Sequence, residues 1–451
     1  MVAATDANYA LAPDDHAREL RRAVVAATVG TTIEWYDFLL YSTMAGLVFG
    51  KLFFPNEAPL TATLNAFGIY FVGFIARPIG AFIFGHYGDR VGRKSTLIVT
   101  LVLMGVSTFL VAFLPGYASI GVWGAVLLTV LRLIQGIGVG GEWGGSVLLT
   151  MEWARHNKER GFLTSWPQFG GPAGLFLANL AVLVFSQMSG DAFFSWGWRI
   201  PFALSIVLVG IGLWIRLRIL ETPVFRKLVA ENKIERAPIV EVCKKAPGTI
   251  LAGLLARTSE QGPFYIFTAF IFAYGTTTLH ASRDLLLAGV LCATLVSAIT
   301  IPLSGHLSDR IGRKKMYIIG CVTMGIFGFI YFGMLNTGSS VLIFLAMVLS
   351  LIPHDMQYGP QGALIAESFT PRLRYSGASI TYQLASITAG GPAPLIATAL
   401  FATYKSGTPI AIYILITAII SIIATTCLKE YSGKDVSAEY DAHEGGQRSA
   451  A

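Results

Sequence analysis

Charge is what this sequence lacks. Only 13% of its 451 residues are Asp, Glu, Lys or Arg, about half the share of an ordinary soluble domain. A soluble chain of this length covers its surface with polar groups and joins roughly three domains by polar linkers, a pattern the sequence does not follow. Cysteine is scarce too. Cys243, Cys292, Cys321 and Cys427 stand far apart without C-x-x-C spacing, which supports neither a zinc site nor a disulfide framework. There is no phosphate loop, no nucleophile constellation and no metal-ligand spacing, so the sequence gives no support to an enzyme and implies no metal and no cofactor. Nor does a cleavable leader open the chain. Residues 1–22 are polar, with Asp14, Asp15, Arg18, Arg21 and Arg22, and the first apolar segment is expected to serve as an insertion signal that stays in place.

What is present is apolar. Hydrophobic residues make up 54% of the chain, and 48 residues are glycine, as suits closely packed membrane helices. Twelve runs are long enough to cross a hydrocarbon core of ~30 Å: 24–49, 62–86, 95–114, 120–150, 161–187 and 198–219, then, after a charged stretch at 221–247, 249–277, 285–306, 316–335, 340–365, 377–402 and 408–428. The expected fold is an all-α integral membrane protein, twelve transmembrane helices in two six-helix pseudo-symmetric bundles. Its parts are a tail (1–22), an N-terminal bundle (23–220), a linker (221–248), a C-terminal bundle (249–428) and a second tail (429–451).

The net charge of +7 could suit nucleic acid, but its placement says otherwise. Of 33 Lys and Arg residues, 26 fall on the tails and on the loops of one side, whereas only Lys51, Arg199, Arg283 and Lys405 lie on the other. Such asymmetry is a topology signal. It places both termini in the cytoplasm and implies the lipid bilayer, not nucleic acid, as partner.

The two halves repeat. Gly85-His-Tyr-Gly-Asp89-Arg90-Val-Gly92-Arg93-Lys94 returns 220 residues later as Gly305-His-Leu-Ser-Asp309-Arg310-Ile-Gly312-Arg313-Lys314, and Gly170-Gly-Pro-Ala173 returns at the same offset as Gly390-Gly-Pro-Ala393. Parallel repeats surrounding a central site are a transporter architecture. In each loop the glycine permits a tight turn, and the Asp can accept from N–H groups at a neighbouring helix N-terminus. Arg90, Arg93, Arg310 and Arg313 can pair with acids at span ends, notably Glu152 and Glu367. With Asp89 and Asp309 these residues are expected to latch one conformation of alternating access.

Ionisable side chains inside spans cost at least ~2.5–3.5 kcal/mol each, so each is a functional candidate. Glu34 and Asp37 share a face of span 1. Two carboxylates close together cannot both ionise cheaply, which makes them the expected proton-coupling pair. Arg132, in span 4, carries a planar fork suited to a carboxylate. A proton on a span 1 acid would free that arginine for an anion. Arg257 is a candidate for substrate binding, though as an i,i+3 pair with Glu260 it could equally neutralise itself; His354, Asp355 and Gln357 are expected to contact substrate or water. Tyr41, Gln135 and Gln383 could supply neutral hydrogen bonds. Arg77 is placed towards the cytoplasmic end of span 2, near the Asp89 loop, where it could serve the substrate path or pair with a loop acid, and Glu142 and Glu260 are further candidates for structural or cavity roles.

Twelve spans in two halves and the G-x-x-x-D-R-x-G-R-K loop in both resemble the major facilitator superfamily. Arg132-x-x-Gln135-Gly136-x-Gly138-x-Gly140-Gly141-Glu142-x-Gly144-Gly145 narrows the resemblance, as do Glu34-Trp35-Tyr36-Asp37-Phe38, Arg77-Pro78-x-Gly80, Trp196-Gly-Trp-Arg199-Ile-Pro201-Phe and Arg374-Tyr375-Ser376-Gly377. Together, over about residues 20–430, they look like the bacterial metabolite:proton symporter family, closest to its shikimate and organic-acid permeases. The resemblance implies import of a small organic acid (shikimate, a dicarboxylate or tricarboxylate, or an oxo-acid) with protons, by a monomer in the bacterial inner membrane. Import of a zwitterion such as betaine or proline is the alternative. It is weakened because the stretch after span 12 shows no heptads. The Gly-Gly-Pro-Ala of span 5 partly matches a drug-antiporter signature, but its copy in span 11 marks it as packing chemistry.

Overall fold

The structure is a computed structural model that describes residues 13–154, 159–218, 220 and 238–433. Among these residues all regular structure is helical. Span 1 runs Pro13–Met44 and continues through a π turn, Ala45–Phe49, into Gly50–Phe53; spans 2 to 5 are Pro59–Arg90, Arg93–Val111, Trp123–Trp153 and Arg160–Ser189; span 6 is Arg199–Ala203 with Ser205–Leu217. After a connector helix, Pro238–Lys245, span 7 is assembled from Pro247–Ala256, Thr258–Tyr265, the π turn Ile266–Phe270 and Ile271–Thr277. Spans 8 to 10 are Arg283–Ile311, Arg313–Leu335 and Ser340–Ala366; span 11 is Arg374–Ala385, a π turn Ser386–Gly390 and Ala393–Tyr404; span 12 is Thr408–Cys427. The face holding the start of span 1, the connector helix and the end of span 12 is called the tail face below, and its opposite the far face.

Ten spans are long and apolar enough to cross a bilayer by length and composition. The two that fall short, spans 1 and 7, are those whose apolar run is broken by polar side chains: Glu34 and Asp37 in one, Arg257, Glu260 and Gln261 in the other. Both also contain a π turn, at equivalent places in the two halves, a feature frequent where helices meet function. The outward surfaces of spans 6, 9 and 12 expose Ile211, Trp214, Ile319, Ile326, Ile419 and Ile423, an apolar girdle matched to lipid.

Spans 1 to 6 form one bundle and spans 7 to 12 the other. Span 5 packs on span 8, span 2 on span 11 and span 5 on span 10 across the interface. The repeated loops explain how. Gly92 and Gly312 both sit at positive φ, 115° and 102°, a backbone conformation that costs glycine little, and each starts the following span. Gly305, the first residue of the second loop motif, lies so close to Gly161 of span 5 that a Cβ on either would come within 2.6 Å of the other's carbonyl oxygen. No side chain larger than hydrogen fits there, and the two bundles touch backbone to backbone at the tail face.

Candidate functional site

The centre of the N-terminal bundle is built on Phe38 of span 1. The guanidinium carbon of Arg132 and that of Arg77 each lie 3.8 Å from the centroid of its ring. Arg132 also lies over the rings of Tyr41 and Tyr70, at 4.5 and 4.8 Å, and Arg77 over that of Phe74, at 4.4 Å. Both arginines are buried, at 1% and 0% exposure. Neither has a carboxylate within ion-pair distance among the described residues. Arg132 donates through Nη1 to Gln135 Oε1, and Arg77 through Nη1 to Ser386 Oγ of span 11 at 3.2 Å. The remaining donors of both, Nε and Nη2, have no partner, and neither does the Tyr41 hydroxyl. Aromatic faces offset part of the desolvation of a cation, but they do not satisfy N–H donors. Two buried guanidinium forks therefore keep open the donors that a carboxylate would accept from.

Gln135 ties this site to the acids. Its Nε2 donates to the backbone oxygen of Asp37 at 3.0 Å and to Thr108 Oγ1 at 2.6 Å. The Asp37 side chain is fully buried; Oδ1 accepts from Ser205 Oγ at 2.5 Å, while Oδ2 has no partner. Glu34 is buried one turn away with Oε2 unpartnered.

The C-terminal bundle carries a different arrangement, in which the buried arginine has an acidic partner. Arg257 Nη2 lies 3.2 Å from Glu260 Oε2, and Nη1 donates to the backbone oxygen of Tyr382, whose ring stacks 3.3 Å under the guanidinium. Gln361 Nε2 donates to the same Glu260 oxygen at 2.9 Å. His354 stands between acids, with Nδ1 2.9 Å from Asp355 Oδ1 and Nε2 3.7 Å from Glu260 Oε1. Glu260, Gln261, Phe264, Tyr265, His354 and Tyr358 line a small central cavity, closed on the other side by Trp35 and Gly171–Pro172 of the N-terminal bundle.

At the tail face the bundles are pinned together. Asp309 accepts from the N–H groups of Gly161 and Phe162, at 3.0 and 2.8 Å, capping the N-terminus of span 5, where the helix dipole favours an anion. Arg313 pairs with Asp309 at 2.7 Å and with Glu367 at 3.1 Å, and Glu367 also takes Arg160 of span 5 at 3.0 Å. Glu367 therefore bridges an arginine from each bundle. Substituting it with Gln is expected to loosen this closure by ~1.4 kcal/mol, a factor of about ten. The check is maleimide labelling of a cysteine placed at buried Ser165 in a background lacking the exposed Cys243 and Cys427. Labelling should quicken in E367Q, and an unchanged rate would refute the latch.

Comparison with known proteins follows the same outline. The family model for the Major Facilitator Superfamily matches residues 28–394 and 250–438. The chain belongs to the major facilitator superfamily. The shikimate transporter of Escherichia coli K12 is 41% identical over 418 residues, 91% of this chain and 94% of that one. The inner membrane metabolite transport protein YhjE of the same organism is 38% identical, over 89% and 92% of the two chains, and the E. coli K12 proline/betaine transporter 30% identical, over 92% and 85%. Among solved structures, the proton:xylose symporter XylE bound to 6-bromo-6-deoxy-D-glucose superposes with a TM-score of 0.74 at 20% identity, covering 95% of this chain and 99% of that one. The twelve-helix facilitator fold and a membrane transporter are thus established, and an enzyme is not what this family supplies.

Within this facilitator the sequence candidates sort by what they touch. Arg132, Tyr41 and Gln135 come together, Gln135 ties them to Asp37, and Glu34 faces Arg216 and Arg77. Arg77 needs correcting: it stands twelve residues before Asp89, which on a continuous helix is about 18 Å, so it joins the central site rather than the loop. Gln357 also turns away, donating to Pro353 O at 3.1 Å and accepting from the Cys321 thiol of span 9 at 3.3 Å. Gln383 spends its donors on the backbone oxygens of Val139 and Gly140 in span 4, at 3.2 and 3.4 Å, as a bridge between bundles. Arg257 is already committed to Glu260. Arg90 contacts His86 of its own helix at 3.0 Å, and Arg310 is exposed without an ion pair among the described residues, so neither contributes to the closure seen here. The side chains of Asp89 and Arg93 lie outside the described residues, and Glu152 sits half-buried at the end of span 4. Glu142 is structural, held by Arg216, Thr100 and Ser146. Sequence reasoning missed Arg216, grouped with the basic residues after span 6, and Arg160, counted only as a topology charge. It also missed Phe38, whose aromatic face gave no signal that two cations would meet on it.

Proposed function

We propose that the chain imports a small organic anion with protons by alternating access. The observation that carries this reading is the pair of buried guanidiniums, Arg132 and Arg77, that converge on Phe38 with open donors and no carboxylate partner among the described residues. A site holding uncompensated positive charge in low dielectric selects an anion, and a forked donor selects a carboxylate. The full-length likeness to a shikimate transporter favours a hydroxylated carboxylic acid as substrate. Arg132 takes the carboxylate and Arg77 its second oxygen or a second anionic group, while Tyr41 donates to substrate.

Asp37 and Glu34 supply the coupling. Ionised, Glu34 lowers the potential at Arg77 and competes with the substrate for it, and Asp37 adds to the negative charge beside Glu34. A proton on either acid removes that competition, so proton and anion each favour the other's binding, as linkage requires. The excess of Lys and Arg on the tail face supports a cytoplasmic placement of that face in a bacterial inner membrane, and the Asp309–Arg313–Glu367–Arg160 cluster then closes the cytoplasmic side while the site awaits substrate. A single chain holds a complete site, so the transporter acts as a monomer.

The test is uptake into proteoliposomes under an inward proton gradient, with radiolabelled shikimate, citrate, 2-oxoglutarate, proline and betaine offered separately. A carboxylic acid should accumulate, and dissipating the gradient should abolish accumulation. Uptake of betaine or proline with no carboxylic acid transported, or accumulation indifferent to the gradient, would overturn the reading.

A further inference from the structure

Resting on the reading of proton-coupled transport, we propose that His354, held between Asp355 and Glu260 at the central cavity, is a second proton-binding site of the transport cycle. Four groups of the C-terminal bundle form one buried chain: Asp355, His354, Glu260 and Arg257. Asp355 also accepts from Thr300 Oγ1 of span 8, and Glu260 from Gln361. The other titratable groups facing the histidine are the Tyr358 ring, 4.8 Å away on its own helix, Tyr265 of span 7, which lines the same cavity, and, beyond Glu260 and Gln361, Tyr317 of span 9 and Tyr382 of span 11; Phe264 covers the imidazole from span 7 at 4.8 Å.

Charge counting gives the reason. Two carboxylates face one guanidinium, so the chain carries one net negative charge when His354 is neutral and none when it is protonated. A net charge in a dry core costs several kcal/mol, and one proton removes it. The ring geometry says where that proton goes. Nδ1 is at hydrogen-bond distance from Asp355 and carries its hydrogen towards that acceptor. Nε2 faces Glu260 Oε1 at 3.7 Å, beyond hydrogen-bond length, and this oxygen accepts no other hydrogen bond among the described residues. Without a proton the contact sets a lone pair against a carboxylate. With one, Nε2–H donates, and the gap can close. His354 and Glu260 both line the small cavity shared with Trp35 and Gly171–Pro172 of the other bundle, so a proton reaches the pair from the space between the bundles. Closing the Nε2–Oε1 gap pulls span 10 towards span 7 on that cavity's wall. The first proton site neutralises the N-terminal bundle's acids, and the second neutralises its counterpart across the cavity.

The experiment measures protons taken up per substrate in proteoliposomes with an internal pH-sensitive dye, comparing wild type with H354Q and, as a second variant that keeps the imidazole, D355N. The ratio should fall in both, by about one proton per substrate in H354Q, the most a single imidazole contributes. The pH profile of uptake should lose its inflection in the range where histidine titrates, roughly pH 5–8. Unchanged ratio and profile in both variants would overturn this inference and leave the Arg132 site and the Asp37 coupling standing. No substrate-dependent proton uptake by wild type would instead overturn the symport reading, and this inference with it.

Discussion

Replacing Arg132 with methionine is expected to do two opposite things: stabilise the substrate-free protein and all but abolish substrate binding. The guanidinium is buried with two of its donor nitrogens open, and a carboxylate offsets that desolvation only when substrate arrives. Methionine fills much of the same space against Phe38, Tyr41 and Tyr70 without the charge, and exchanges of buried ions for apolar side chains commonly gain about 1–4 kcal/mol. Binding should fall instead by about 3–4 kcal/mol, the worth of two charge-assisted hydrogen bonds, or roughly 100- to 1,000-fold in affinity. R132K, which keeps charge but not the fork, should lie between, about tenfold weaker than wild type. Thermal unfolding without substrate and a substrate titration read the two effects separately. Parallel losses of stability and of binding would mean that Arg132 is a structural residue.

The second large effect lies at the ion pair that joins spans 4 and 6. Glu142 is held by both terminal nitrogens of Arg216, by Thr100 at 2.9 Å and by Ser146 at 3.2 Å, and both partners of the ion pair are 2% exposed at the side chain. E142Q takes from Arg216 the carboxylate that holds both its terminal nitrogens and leaves it facing Glu34 of span 1 alone. Breaking one side of such a pair costs about 3–5 kcal/mol. The double variant E142M/R216M removes both charges and should recover most of the loss, so the two substitutions are strongly non-additive. Melting temperatures of wild type, both single variants and the double variant give the coupling directly. Additive losses would show that spans 4 and 6 are not joined through this pair.

These two sites divide what the sequence discloses from what it hides. The twelve spans were legible because a helix in lipid must be long and apolar, and the halves because Gly92 and Gly312 need the same positive φ at the same place in a repeated loop. Arg132, Asp37 and His354 were legible as charges where charge is costly. Their partners were not. Arg216 and Glu142 are 74 residues apart, and a basic residue at the end of span 6 reads like any other topology charge until the spans pack. Arg77 was misplaced because its distance was judged from the loop, and only a helix running unbroken from Pro59 to Arg90 shows how far inside it lies. Gln357 has polar neighbours in sequence, but span 10 turns its side chain towards Cys321, whereas His354 and Tyr358, one helical turn apart, both line the cavity. Gln383 is polar for the sake of the opposite bundle's backbone.

The claim at the centre is that open guanidinium donors, not shape alone, select the substrate. The most direct measurement is the ligand-induced rise in melting temperature of purified protein with shikimate and with its methyl ester, in wild type and in R132M. The acid should stabilise wild type, the ester should not, and neither should stabilise R132M. Equal stabilisation of wild type by acid and ester would contradict a site built to bind a carboxylate.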